Sequence, residues 1–356
     1  RVANLSYIQA GWYIDMMRQK AFESDPMPLS LPQEKYLDGV RTQLPVNTRI
    51  DKPVDIRQIV AFAGEDDRKF MIDISGRGDY FNYIPSNKFM INVDTAKVIS
   101  NGTVKKYFRN MIVSPVLWEY TETDALKGDL AIMDLLATNE WERPVYFSTT
   151  VPSSQYKGLE KYFVQEGLAY RIAPIKADES RPAEFGIIDH NVMYDNMMNK
   201  FKWGNAADPS VYLDENNKRM FSNFRRLFGN LSEALLAEGD TTKAILAAKR
   251  GLDLVPADKM PYDFFALGPA ATLIKAGKMD EGLKIIHDIM DYSRDYLDYA
   301  VELPPENRFG LEYPVGINMQ SLLDIYSMAS DMKMDTLLSE IEPVVSTYYS
   351  ILYSPK

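Results

Sequence analysis

Apolar positions along residues 1–205 alternate between short β-type runs and helical spacing. The runs predict strands at 2–6, 55–63, 89–93, 109–113, 144–149 and 168–175. Within residues 9–20, Trp12, Ile14, Met16 and Met17 fall at roughly helical spacing, so a strand-then-helix unit is expected at the start. Residues 128–147 (GDLAIMDLLATNEWERPVYF) read as a helix capped by Asp129, with Leu130, Met133, Leu136 and Ala137 on its apolar face. Pro144 then stops that helix and starts a buried strand. Three prolines in residues 24–32 predict an extended loop with its Leu and Met side chains packed on a neighbouring surface. The Ser75-Gly-Arg-Gly-Asp79 stretch predicts a turn; no Gly-Lys-Ser/Thr follows, so it is not a phosphate loop. Helices alternating with strands imply an α/β domain over residues 1–205, a mixed sheet with covering helices.

From about Arg219 the strand signal stops and helical period takes over. The segment around Gly239 (LLAEGDTTKAI) recurs around Gly277 (LIKAGKMDEGL), 38 positions later, and a third copy is expected at 330–338 after an insertion at 303–306. Each copy reads as helix, tight turn, helix. Ala244, Ala248 and Pro256 match the small-residue and Pro positions of tetratricopeptide repeats, which the segment resembles; the usual Trp of the first helix is missing. Residues 206–356 are therefore expected to be an all-α, tetratricopeptide-like repeat domain of stacked helix pairs, joined through a short polar linker near 205–209.

Composition narrows the partners. At 46% hydrophobic and 25% charged, the chain is a folded one. A net charge of −10 without a basic stripe argues against nucleic acid. No apolar run approaches the roughly 18–20 residues that span a bilayer. The absence of Cys rules out disulfides, thiolate metal sites and Cys nucleophiles, and is compatible with an oxidising compartment.

Candidate chemistry is sparse. His190 and His287 fall in different expected domains and are read as structural or surface residues. Asp189, Asp195 and Asp214, with Asn191, Asn196 and Asn199, lack the spacing of a Ca²⁺ loop and read as helix caps. No nucleophile elbow, carboxylate pair or metal motif appears, so no catalytic residue, metal or cofactor is expected. The aromatics, 22 Tyr, 16 Phe and 4 Trp, are numerous enough for both a core and a binding face. Tyr80, Phe81 and Tyr83 follow a turn and are the expected exposed platform, with Trp141 and Trp203 as further binding candidates; most other aromatics are expected in the core.

Several segments together carry a family resemblance: residues 1–6 (RVANLS) followed by Trp12-Tyr13-Ile14, residues 129–147 ending in WERPVYF, residues 166–172 (EGLAYRI) and residues 192–204 (VMYDNMMNKFKWG). They resemble the C-terminal region of the DUF2723 membrane proteins of Bacteroidetes, whose multi-span half is similar to protein O-mannosyltransferases. The chain opens on residues 1–7 without an initiator Met, and a preceding segment is expected. The resemblance implies that this segment is a transmembrane bundle carrying the catalytic acid, and that the present chain lies on the periplasmic face of the cytoplasmic membrane. It further implies an accessory role, orienting an acceptor protein or a partner for sugar transfer from a lipid-phosphate donor. The alternative is a non-catalytic envelope scaffold that binds a protein partner through its helical repeats. Asp94-Thr95-Ala96, Asp240-Thr241-Thr242 and Asp335-Thr336-Leu337 resemble short O-glycosylation sites of Bacteroidetes, making Thr95, Thr241 and Thr336 candidate glycan acceptors.

Overall fold

The computed structural model describes residues 2–73, 76–176, 185–304 and 307–353. The chain forms two compact units, Arg1–Gln165 with Ala169–Ile187, and Glu166–Leu168 with Ile188–Lys356. The first is built of short strands and covering helices: β1 (Gln43–Pro45), β2 (Val54–Asp55), β3 (Met71–Asp73), β4 (Tyr80–Asn82), β5 (Lys88–Ile91), β6 (Val116–Glu119), β7 (Asp124–Leu126), β8 (Tyr146–Ser148), β9 (Phe163–Gln165) and β10 (Ala169–Ile172), with α1 (Gly11–Arg18), α2 (Ile56–Gly64), α3 (Thr95–Ser100) and α4 (Lys127–Asn139). β2 runs parallel to β5, and β5 antiparallel to β6. The pairs β1–β7, β3–β4, β8–β10 and β9–β10 are antiparallel. Mixed sheets with covering helices are thus what the alternating pattern predicts.

Three of the predicted strands are not strands. Residues 56–64 are helix α2: the Asp55 carboxylate accepts the Arg57 N–H at 2.9 Å as an N-cap, and Ile56, Ile59, Val60 and Ala63 make a buried stripe at helical spacing. Residues 2–6 lead into a 3₁₀ turn at Tyr7–Gln9, because the Asn4 side chain accepts the Ser6 and Tyr7 N–H groups and competes with strand pairing. Residues 109–113 fall in the 3₁₀ turn Lys106–Met111, followed by a single bridge from Ile112 to Ile175. Asp129 sits two residues inside α4 and reaches back to accept the Leu126 N–H at 2.9 Å. The turn at 75–79 begins on residues outside those described; Gly76 and Gly78 donate backbone N–H groups to the Asp73 carboxylate at 2.8 and 2.9 Å.

The proline-rich loop packs as its composition requires. Leu31 is buried in the core and Met27 and Leu29 pack against it. The loop is tied to α4 by Asp134, which is fully buried and accepts from the Ser30 N–H, the Ser30 hydroxyl, the Leu31 N–H and the Tyr36 hydroxyl at 2.6–3.0 Å.

The second unit is all-helical beyond residue 214. After α5 (His190–Tyr194) come α6 (Glu215–Ala237), α7 (Thr241–Asp253), α8 (Leu267–Lys275), α9 (Met279–Glu302), α10 (Glu312–Asp331) and α11 (Asp335–Tyr353). These are three helix pairs, and their turns repeat one device. Gly239, Gly277 and Lys333 take left-handed φ values of 85°, 81° and 54°. The next N–H in each turn, from Asp240, Lys278 and Met334, donates back to the carbonyl of Leu235, Leu273 and Ala329 at 2.8–2.9 Å. The sequence repeat is this helix-terminating turn, used three times. Ala244 and Ala248 are buried where the pairs pack, and Gly251 lies against Phe228, a Cβ there standing 2.5 Å from the Phe228 Cβ. Only the third turn lacks glycine. Lys333→Gly is therefore expected to slow amide exchange across α10 and α11, by the factor that about 0.5–1 kcal/mol of relieved left-handed strain implies; faster exchange would contradict the assignment.

Candidate functional site

The first helices of the three pairs, α6, α8 and α10, line one open groove of about 440 Å³. Its position follows from packing. Gly229 on α6 faces Gly268 on α8, so closely that a Cβ on Gly268 would stand 3.3 Å from the Gly229 Cα. The second helices bury their apolar faces behind this layer, in a core that includes Ile285, Ile286, Ile289 and Ile341. The groove side is thereby free to carry other chemistry. Half-buried Phe264 and Phe265, edge to face at 5.4 Å, meet Met328 and Met332 as an apolar lining. Arg226 on α6 and Lys275 on α8 supply positive charge, and Asp324 and Asp331 on α10 supply negative charge. Arg226 donates to the Asn223 side-chain oxygen Oδ1 at 3.0 Å, which orients it, and Lys275 lies 3.8 Å from Glu233. An open trough with soft apolar floor and oppositely charged walls suits an extended polypeptide.

The aromatic candidates are dispersed over the fold. Tyr80 and Phe81 are exposed on β4, but the Arg68 guanidinium covers one Tyr80 face at 3.8 Å. Tyr83 is only 6% exposed, packed edge-on to Phe62 at 5.1 Å with Arg49 over its ring. The exposed platform expected at 80–83 therefore consists of Tyr80 and Phe81, because Tyr83 lies beyond the end of β4, where the chain leaves the strand and its ring packs against Phe62. Trp141 is 8% exposed, and its indole N–H donates to the Asn92 carbonyl at 2.8 Å. Trp203 packs against Phe201, Phe224 and Phe228 in the helical unit. None of these lines the groove.

The remaining candidates are mostly helix ends. Thr95 and Thr241 open α3 and α7 and Thr336 is second in α11; all three are exposed. Asp94 and Asp240 cap their helices through the Lys97 and Lys243 N–H groups, so the shared Asp-Thr pattern has a capping origin at these two sites. Asp189 and Asp214 are caps as well, accepting from the Val192 and Asn217 N–H groups. Asp195 pairs with Lys200, which holds its carboxyl below the usual range. His287 meets Glu340 at 2.9 Å on the surface, and His190 opens α5. Among the described residues no three acidic or His side chains gather as metal ligands, and no helix is long and apolar enough to cross a membrane.

The groove residues escaped sequence reading. Phe264, Phe265 and Met328 look like core on a repeat whose every helix needs an apolar stripe, and only the pairing of helices decides which stripe stays open.

A family model described as TMEM260-associated domain 2 matches residues 1–192. This corrects the expected DUF2723 membership: three of the segments that carried the resemblance, at 1–14, 129–147 and 166–172, fall inside a differently described family. No curated protein and no solved structure matches the chain.

Proposed function

The chain belongs to the TMEM260-associated domain 2 family, a region of membrane-associated, glycosyltransferase-like proteins, and from that premise we propose that it is an accessory region that holds an acceptor polypeptide for sugar transfer. It lies on the extracytoplasmic side, beside a membrane-embedded catalytic part that draws sugar from a lipid-phosphate donor. The observation that carries this reading is the groove across α6, α8 and α10, whose charged walls and Phe and Met lining complement an extended chain rather than a small rigid ligand. Charged walls and apolar anchoring suit an acceptor whose sequence varies around a Ser or Thr hydroxyl. The Cys-free composition is compatible with an oxidising exterior.

The purified chain is expected to bind Ser/Thr-containing acceptor peptides in fluorescence anisotropy. Reversing one wall with Arg226→Glu and Lys275→Glu should weaken binding about tenfold or more, since two favourable charge contacts become repulsive. Equal affinity of the double variant would remove the groove from the account.

A further inference from the structure

The first unit carries a second, unrelated cavity, and from its position and lining we infer that it is a binding site for a neutral hexopyranoside. The cleft holds about 240 Å³ and opens where the parallel strands β2 and β5 end and their following helices α2 and α3 begin. Crevices beyond the carboxyl ends of parallel strands are where open α/β layers bind ligands, because strand pairing stops there and the two connections diverge. Here Asp55 and Arg57 stand at the end of β2, Asn92 and Asp94 at the end of β5, and Glu140 with Trp141 close the third side from the end of α4.

The lining decides the ligand class. Two helix N-termini face the cleft, which would ordinarily favour phosphate. Both are already neutralised: Asp55 accepts the Arg57 N–H and Asp94 the Lys97 N–H. Hydrogen bonds from Arg57 hold the Asp55 carboxyl below its usual range, so it stays an anion. With Glu140 the cleft carries three carboxylates against the cations of Arg57 and Lys97, which repels a second anion. Arg57 donates to Asp55 and Glu140, the Asn92 amide donates to Asp55 and Lys97 pairs with Glu142, so the polar wall is a fixed network whose remaining lone pairs and N–H groups hydroxyl groups can join in both directions. Ile91, Leu136 and Trp141 supply an apolar floor for the C–H face of a sugar ring. The wall is also held rigidly. Glu140 and Trp141 both adopt left-handed φ, 43° and 62°. The pair is fixed by the Trp141 indole N–H on the Asn92 carbonyl and by Asn101 and Thr103 donating to the Trp141 carbonyl at 2.8 and 3.3 Å.

The site is independent of the groove, so peptide binding and sugar binding fail separately. Saturation-transfer NMR on the whole chain, with methyl α-glucopyranoside, methyl α-galactopyranoside, methyl α-mannopyranoside and glucose 6-phosphate as probes, tests it. At least one neutral glycoside is expected to bind at millimolar concentration, and the phosphate to bind at least about fivefold more weakly. Arg57→Ala and Glu140→Ala, both at exposed side chains that leave the core intact, should each weaken the neutral probe about fivefold, the loss of one hydrogen bond. No transfer to any neutral glycoside, tighter binding of the phosphate, or affinity unchanged in both variants would overturn the assignment.

Discussion

Replacing Asp134 with Ala is expected to destabilise the first unit by roughly 3–5 kcal/mol, the scale set by leaving several buried donors without an acceptor. One fully buried carboxylate on α4 gathers the Ser30 and Leu31 N–H groups, the Ser30 and Tyr36 hydroxyls and, at 3.0 Å, the Thr138 hydroxyl. The bonds to Ser30, Leu31 and Tyr36 bridge about a hundred residues of sequence and fasten the proline-rich loop, whose prolines cannot enter a sheet ladder of their own. Burial, and then the Asp134 charge, push the Tyr36 phenol well above its ordinary value, so it stays a donor throughout the accessible pH range. Asp134→Asn keeps one acceptor oxygen and should lose less than Asp134→Ala. Hydrogen exchange at Leu31 and along α4 reports both; protection unchanged in the Ala variant would show that the loop is held by its apolar side chains alone.

The second large effect is expected at Arg225. Its side chain is fully buried in α6, and its guanidinium donates to the carbonyls of Val255, Met260 and Pro261 at 2.8–2.9 Å, with the Tyr262 ring 5.1 Å away. It thus organises the loop that leads from the first helix pair into α8 and the groove. Arg225→Met preserves apolar volume but strands three carbonyls, and should cost the helical unit about 3–5 kcal/mol. Arg225→Lys should not rescue it, because an ammonium lacks the planar fork that reaches three carbonyls at once. The effect carries a pH signature through neighbouring Asp263. Burial raises that carboxyl above its ordinary 3.8, opposed by the Ser222 hydroxyl and then by the Arg225 charge. Removing the cation raises it further. A carboxyl whose folded value lies above its unfolded value holds a proton that the unfolded chain releases, so its penalty is absent below the unfolded value and grows as pH rises through the folded one. The deficit of Arg225→Met relative to the unaltered chain should accordingly widen from acid to neutral pH in denaturant titrations. A deficit independent of pH would uncouple the two residues.

These two residues mark what the sequence conceals. The helical unit is legible because its turn device repeats locally, with Gly239, Gly277 and Lys333 in equivalent places. In the first unit, β5, β8 and β10 emerge from short apolar runs, whereas the run at 55–63 that predicts a strand forms α2. Its Ile56, Ile59, Val60 and Ala63 fit helical spacing within a β-branched stretch, and the Asp55 cap settles the competition. Asp134 and Arg225 look like ordinary charged residues on helices, since most of their partners are backbone and hydroxyl groups distant in sequence and brought to them only by the tertiary fold. The same holds for the candidate sites. The groove depends on which helix faces remain uncovered, and the cleft on two strands ending side by side.

The central claim, that the groove presents an acceptor polypeptide for glycosylation, is tested most directly in the native host. Quantitative glycoproteomics would compare cells whose full-length protein is unaltered with cells carrying Arg226→Glu and Lys275→Glu, at matched protein abundance. The account predicts that glycan occupancy on the affected acceptor proteins falls at least about fivefold, in line with the loss of two charge contacts. Occupancy that stays unchanged, with the variant folded and equally abundant, would contradict it and leave the groove serving a binding partner outside sugar transfer.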